Sequence, residues 1–166
     1  MAQAIFITTD DIKKYTPLNG NVDVDNFIQY IKIAQDIHIQ GYLGTKLFDK
    51  INADIVAGTL SGVYLALVNN YIKQMVIHWA MVQYLPFGAY TLANKGFYKH
   101  TSETSESLTK VEVDMLVEKE RDIAQSYTQR FVDYMCYNYT DFPEWTENTE
   151  DDIRPNHNTT FSGWYL

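Results

Sequence analysis

Six side chains are the first places to look for chemistry: His38, His78, His100, His157, Cys136 and Glu120. Histidine titrates near neutral pH and is the commonest metal ligand. No two of these histidines stand three to five residues apart, and none lies beside Cys136. The chain contains no HExxH and no calcium-loop pattern. A metal site is therefore not expected. His38 and His78 fall on apolar helical stripes, where a hydrogen-bonded core histidine is the ordinary outcome. Cys136 sits among aromatics without a histidine in reach, which is the setting of a small buried hydrophobe. Gly41 and Gly44 in GYLGTK lack phosphate-loop spacing and follow a helical pattern rather than a strand. They read as helix-stop and turn residues. Glu120 interrupts an apolar stripe, so it pairs with Lys119, Arg121 or a buried histidine, or lies where the stripe meets solvent. General acid catalysis needs a second titrating group and a pocket, and the sequence displays neither. The expectation is a protein that is not an enzyme and carries no cofactor.

The elements that position these residues are mostly helices. A short segment, Thr9 to Tyr15, is capped by Thr9 or Asp10 and ended by Pro17 and Asn19-Gly20. Asp23 to Leu43 carries Val24, Phe27, Ile28, Ile31, Ala34 and His38 at helical spacing, with Tyr30, Ile33 and Ile37 beside them. The apolar arc covers roughly 240°, more than twice what one core-facing side needs. Thr45 to Ala57 buries Leu47, Phe48, Ile51 and Ile55, and Gly58 stops it. Ser61 caps a helix reaching Leu85, before Pro86. Its second half, Met75 to Val82, is apolar almost all round, so other helices must enclose it. The last helix runs from about Leu108 to Tyr139, with Val113, Leu116, Ile123, Tyr127, Phe131 and Tyr134 inward.

Two stretches break the helical period. Residues 88–100 read as a small β-hairpin: Tyr90 to Ala93 and Phe97 to Lys99 flank Asn94-Lys95-Gly96, with Gly96 left-handed. From Thr140 to Leu166 no period survives. Six acids face only Arg154 there, yet the stretch carries Phe142, Trp145, Ile153, Phe161, Trp164, Tyr165 and Leu166. Such an arm does not fold alone, so its aromatics dock on its own body or on a partner. The fold expected is mainly α: a helical bundle with two long helices, a hairpin insertion, and an extended arm, divided as 1–139 and 140–166.

Composition narrows the function. The chain has 166 residues, 13 Lys+Arg against 21 Asp+Glu, and a net charge of −8. That size suits one domain, which hides about 70% of its surface on folding. A chain this acidic is a poor candidate for binding nucleic acid through phosphate neutralisation. One cysteine excludes an internal disulfide framework. No signal peptide is visible, and Val63 to Phe87 is too interrupted by polar residues to span a membrane. Aromatic residues reach 14% and charged residues only 20%, a balance seen in interface cores.

The opening ITTDDIKKYTPLNGNVDVDNFIQYIKIAQDIHIQGYLGTKLFDKI resembles the N-terminal signature of tailed-phage head–tail connector proteins. These are the adaptor or head-completion family, above all in phages of Bacteroidota, including crAss-like phages. The resemblance rests on the entry Ile7 to Ile12, Val22-Asp23, Ala34-Gln35 and Leu43-Gly44. Asn94-Lys95-Gly96 and the closing Ser162-Gly163-Trp164-Tyr165-Leu166 add to it. It implies a virion neck protein, made in the host cytoplasm. It implies a cyclic ring of this chain, commonly a dodecamer, that docks under the portal protein, extends the DNA channel and meets a tail or stopper protein. DNA would pass without specific binding, and no membrane is involved. The contact residues expected are Tyr30, Ile33 and Ile37, Phe97 and Tyr98 of the hairpin, and Phe142, Trp145, Phe161, Trp164, Tyr165 and Leu166 of the arm. Two alternatives stay open: a cellular helical adaptor that binds a partner, and an enzyme with a helical pocket around His38, His78 and Glu120.

Overall fold

The computed structural model describes residues 4–16, 24–88, 90–93, 96–99, 109–147 and 153–158. Most of these are helical, so the mainly α expectation holds. Residues 94–95 and 159–166 lie outside the described residues, and Gly96, expected to be the left-handed turn residue, is the first residue of the strand Gly96–Lys99.

Helix α1 (Thr9–Tyr15) has the expected bounds, but its cap lies before both expected caps. Thr8 is the N-cap: its hydroxyl accepts the Asp11 N–H, and the Asp11 carboxylate accepts the Thr8 N–H at 2.9 Å. The box needs a carboxylate three residues after the cap. Thr9 or Asp10 as cap would place Ile12 or Lys13 there.

Helix α2 (Val24–Ala34) continues through a π-helical turn (Gln35–Ile39) into α3 (Gln40–Leu43). Phe27, Ile31 and Ala34 are buried, as their spacing demands, but then Gln35, Ile39 and Leu43 follow. The wider π turn absorbs one extra residue. It turns Ile39 inward where an unbroken 3.6 period would bury His38, and His38 moves to the half-buried flank. The chain then swings at Gly44 (φ 74, ψ 158) into α4 (Thr45–Ala57). That backbone region is open essentially to glycine alone.

Helix α5 (Gly62–Leu67) runs through a second π turn (Val68–Ile72) into α6 (Lys73–Gly88). The helix passes Pro86, which was expected to end it. Proline removes the N–H bond from residue 86 to Val82 and crowds that carbonyl, and the helix ends two residues beyond it, at Gly88. Tyr90–Ala93 (β1) pairs antiparallel with Gly96–Lys99 (β2) over four residue pairs. Helix α7 (Lys110–Asn138) starts at a Thr109/Glu112 capping box. A 3-10 turn (Tyr139–Asp141) and the one-turn α8 (Pro143–Thr146) follow.

Helix α6 is the axis of the body. Met75, Val76, Ile77, Trp79, Ala80, Met81 and Val82 are all buried, which is why that stretch reads as apolar all round. The aromatic and polar contacts fix the directions of its neighbours. Tyr71 meets Tyr134, Trp79 meets Thr128 and His78 meets Glu120, so α7 runs antiparallel to α6. His38 meets Trp79 while Phe27 and Tyr30 meet Tyr84, so α2 is antiparallel to α6 as well. Among the described residues no single helix is long and apolar enough to cross a membrane.

Candidate functional site

The polar residues inside the bundle are tied in pairs. His78 Nδ1 and Glu120 Oε1 lie 2.7 Å apart across α6 and α7, and the Tyr127 ring stacks on His78. This settles the odd carboxylate in the α7 stripe: it faces a histidine of the next helix. Trp79 donates its indole N–H to Thr128 Oγ1 at 3.0 Å, and the Thr128 hydroxyl donates in turn to Ala124 O. The His38 ring stacks on Trp79 with centroids 3.9 Å apart, and the Gln83 amide meets its Nε2 at 3.1 Å. Burial, with the Arg121 cation adding to it, lowers the His38 pKa to about 4. His38 is therefore neutral at pH 7 and accepts from Gln83. The two histidines belong to separate pairs, one on each side of α6. Among the described residues no group of three or more His, Cys, Asp or Glu could hold a metal ion.

A buried amide entered the sequence reading only as part of the Ala34-Gln35 motif, with no role given to it. Gln35, in the π turn, is 1% exposed; its Oε1 accepts the Phe6 N–H at 2.8 Å and its Nε2 donates to Ala4 O. Asn52 accepts the Ala4 N–H. Residues 4–7 thus lie against the body, with Phe6 and Ile7 buried. A lone Gln on an apolar helix face is the only sequence signal for this clamp.

The first part of the arm belongs to the body. Phe142 and Trp145 are buried in this chain's own core and are not surface contacts. Phe142 packs edge-on against Tyr64 and near Tyr134. The Tyr64 hydroxyl donates to Glu144 Oε2 at 2.7 Å; burial first, then that carboxylate, raises its pKa to about 12. The helix corner explains the docking. The last carbonyls of α3 and the first N–H of α4 have no helical partner. Trp145 Nε1 donates to Tyr42 O, Asn156 N to Gly41 O, and Thr45 N to Ile153 O. The His157 ring stacks on Trp145. Residues 153–158 form a strap over the Gly44 corner, beside an open depression of ≈ 560 Å³ lined by Trp145, Arg154 and their neighbours.

The remaining contact candidates divide by placement. Tyr30 is half-buried, its ring against Tyr84 and Phe87. Ile33 is exposed, and Ile37 is 62% exposed. Phe97 and Tyr98 lie in β2; Phe161, Trp164, Tyr165 and Leu166 are outside the described residues. On α7, Ala124, Thr128, Phe131, Val132 and Met135 are buried, while Val113, Ile123, Tyr127 and Tyr134 are half-buried. Leu116, expected inward, is exposed. Two further apolar residues were missed: Val111 and Met115 are 68% and 65% exposed. Their signal was present as a four-residue spacing on the face opposite Ala124.

Residues 39–154, well over half of the chain, match the profile described as "Family of unknown function (DUF6712)". The chain belongs to that family. No curated protein and no solved structure matches it.

Proposed function

We propose that this DUF6712 chain is a structural subunit of a phage neck ring, one that docks beneath a portal protein, extends the DNA channel and links capsid to tail. The observation that carries the proposal is the uncovered apolar surface on α2 with its π turn and on α7. Ile33 on α2, Ile37 on the π turn that continues it, and Val111, Met115 and Leu116 on α7 stand exposed in a chain whose own core is already filled. Leucine-class side chains scattered singly are ordinary on a surface; repeated along helix faces they mark contact with another chain. The 240° apolar arc of α2 exceeds what α6 covers, and Ile33 and Ile37 are the excess. The resemblance of the opening sequence to head–tail connector proteins supplies the partner class. The net charge of −8 supports passage of DNA without adhesion. In this reading the strand pair Tyr90–Lys99 is an insertion that reaches a neighbouring ring, and Phe161, Trp164, Tyr165 and Leu166 are contact residues.

The test is sedimentation of the purified chain with the portal ring encoded in the same genome. The full chain is expected to travel with the portal, and a chain ending at Asn158 to lose that attachment while keeping its helicity. A truncation at Thr140 is not clean, because it strips Phe142 and Trp145 from the core. A full chain that stays at the top of the gradient, at every concentration, contradicts the proposal.

A further inference from the structure

We infer that two copies of this chain meet head to tail, the outer face of α2 on one copy against the outer face of the first half of α7 on the next. The inference rests on the self-assembly half of the proposed function and names the surfaces that would touch.

Helix α6 fixes where the two faces point. Gln83, Tyr84 and Phe87 meet α2 and its π turn, whereas His78 meets α7. At about 100° per residue, His78 lies nearly half a turn of α6 away from Gln83 and Phe87. Helices α2 and α7 therefore flank α6, and their outer faces look apart. On α2, Ile33 follows the buried Ile31 by two residues, or about 200°. On α7, Met115 precedes the buried Ala124 by nine residues, about 180° round the helix. Each face thus carries an apolar pair one turn apart: Ile33 and Ile37 on one side, Val111 and Met115 on the other.

Two faces pointing apart decide the symmetry. A two-fold contact would pair α2 with α2 or α7 with α7 and leave the other face bare. A head-to-tail contact uses both, and repeats until it closes into a ring. Charge argues the same way. Beyond Met115 the outer face of α7 presents Glu118 and Asp122, with Lys119 between them; α2 presents Lys32 beside Ile33, and Asp36. Two α7 faces together would set acid against acid, while α2 brings Lys32 to those carboxylates. Area sets the strength. The four apolar side chains expose on the order of 400 Å² between them, short of the ~1,000 Å² of a stable interface. A single contact is weak, and closure of the ring, which gives each copy two, holds the assembly.

Cross-linking captures a weak contact. In full-length chains carrying Cys136→Ser to remove the exposed thiol, one batch receives Ile37→Cys and another Met115→Cys. Both positions are exposed, so both chains fold. Each batch alone, and the two mixed at high concentration, are treated with a short bis-maleimide and run on a denaturing gel. Dimers are expected in the mixture and not in either batch alone. A chain carrying both cysteines should give a ladder. Dimers from the Ile37→Cys batch alone, or from the Met115→Cys batch alone, overturn head-to-tail pairing in favour of a two-fold contact. No cross-link in the mixture overturns the contact altogether. Mixed-batch dimers from a chain that fails to sediment with the portal would keep this contact and remove the connector reading.

Discussion

At the scale of single residues, the buried polar groups do the positioning, and each makes a testable demand. Gln35 has one job, to satisfy Phe6 N–H and Ala4 O inside the body. Gln35→Leu keeps the volume and strands both backbone groups, which costs about 1–3 kcal/mol. The urea midpoint should fall accordingly, and exchange of the Phe6 amide should rise with it. His38 gives a pH dependence whose sign follows from its environment. Its pKa is lowered to about 4 in the folded chain, first by burial and then by Arg121, against an ordinary 6.5. Between those two values the unfolded chain holds a proton that the folded chain does not. Stability therefore falls as pH drops from 6.5 to 4, and the His38 contribution levels off below 4. The His38 ring resonance should titrate near pH 4, and His38→Gln should flatten the fall of the urea midpoint across that window. A midpoint near 6.5 for His38 would place the ring in water instead of on Trp79.

At the scale of elements, the corner at Gly44 joins three pieces of chain. It ends α3, starts α4, and exposes the backbone groups that the arm satisfies. Gly44→Ala forces a side chain into a conformation that costs about 1–3 kcal/mol, and the damage should reach the strap as faster exchange of the Asn156 amide. Trp145→Ala removes a buried indole and should cost about 3–5 kcal/mol, read in thermal unfolding; an exposed arm residue would cost almost nothing. Helices were legible in the sequence because their signals are local. The apolar stripes of α4 and α6, the stop at Gly58 and the polar start of α7 need no knowledge of the partner helix. The two π turns were not legible, since one inserted residue leaves no mark in composition. That single residue moved His38 to the flank and sent Ile39 inward. The arm was only half legible. Its aromatics announced docking, but the choice between own body and partner was made by unpaired backbone groups at the corner, and periodicity carries no record of those. Glu120 was read only as an interruption in a stripe, and the role of Gln35 was not read at all, because their partners His78 and Phe6 lie 42 and 29 residues away.

At the scale of the whole molecule, the body is complete around α6 and yet leaves apolar side chains outside on both flanks. A core this well filled does not need Ile37 or Met115, and folding alone gives no reason to keep them apolar. Replacing Ile33 and Ile37 together by Asp should leave the helical signal and the urea midpoint within about 0.5 kcal/mol of wild type, as exposed substitutions do. The same pair should abolish assembly. A large loss of stability instead would mean that these side chains serve the chain's own fold. The most direct measurement is an electron cryo-microscopy map of the chain bound to its portal. The expected result is a closed ring in which Ile33, Ile37, Val111 and Met115 of every copy are covered by adjacent copies. A map showing those side chains facing water, or no ring at all, would contradict it.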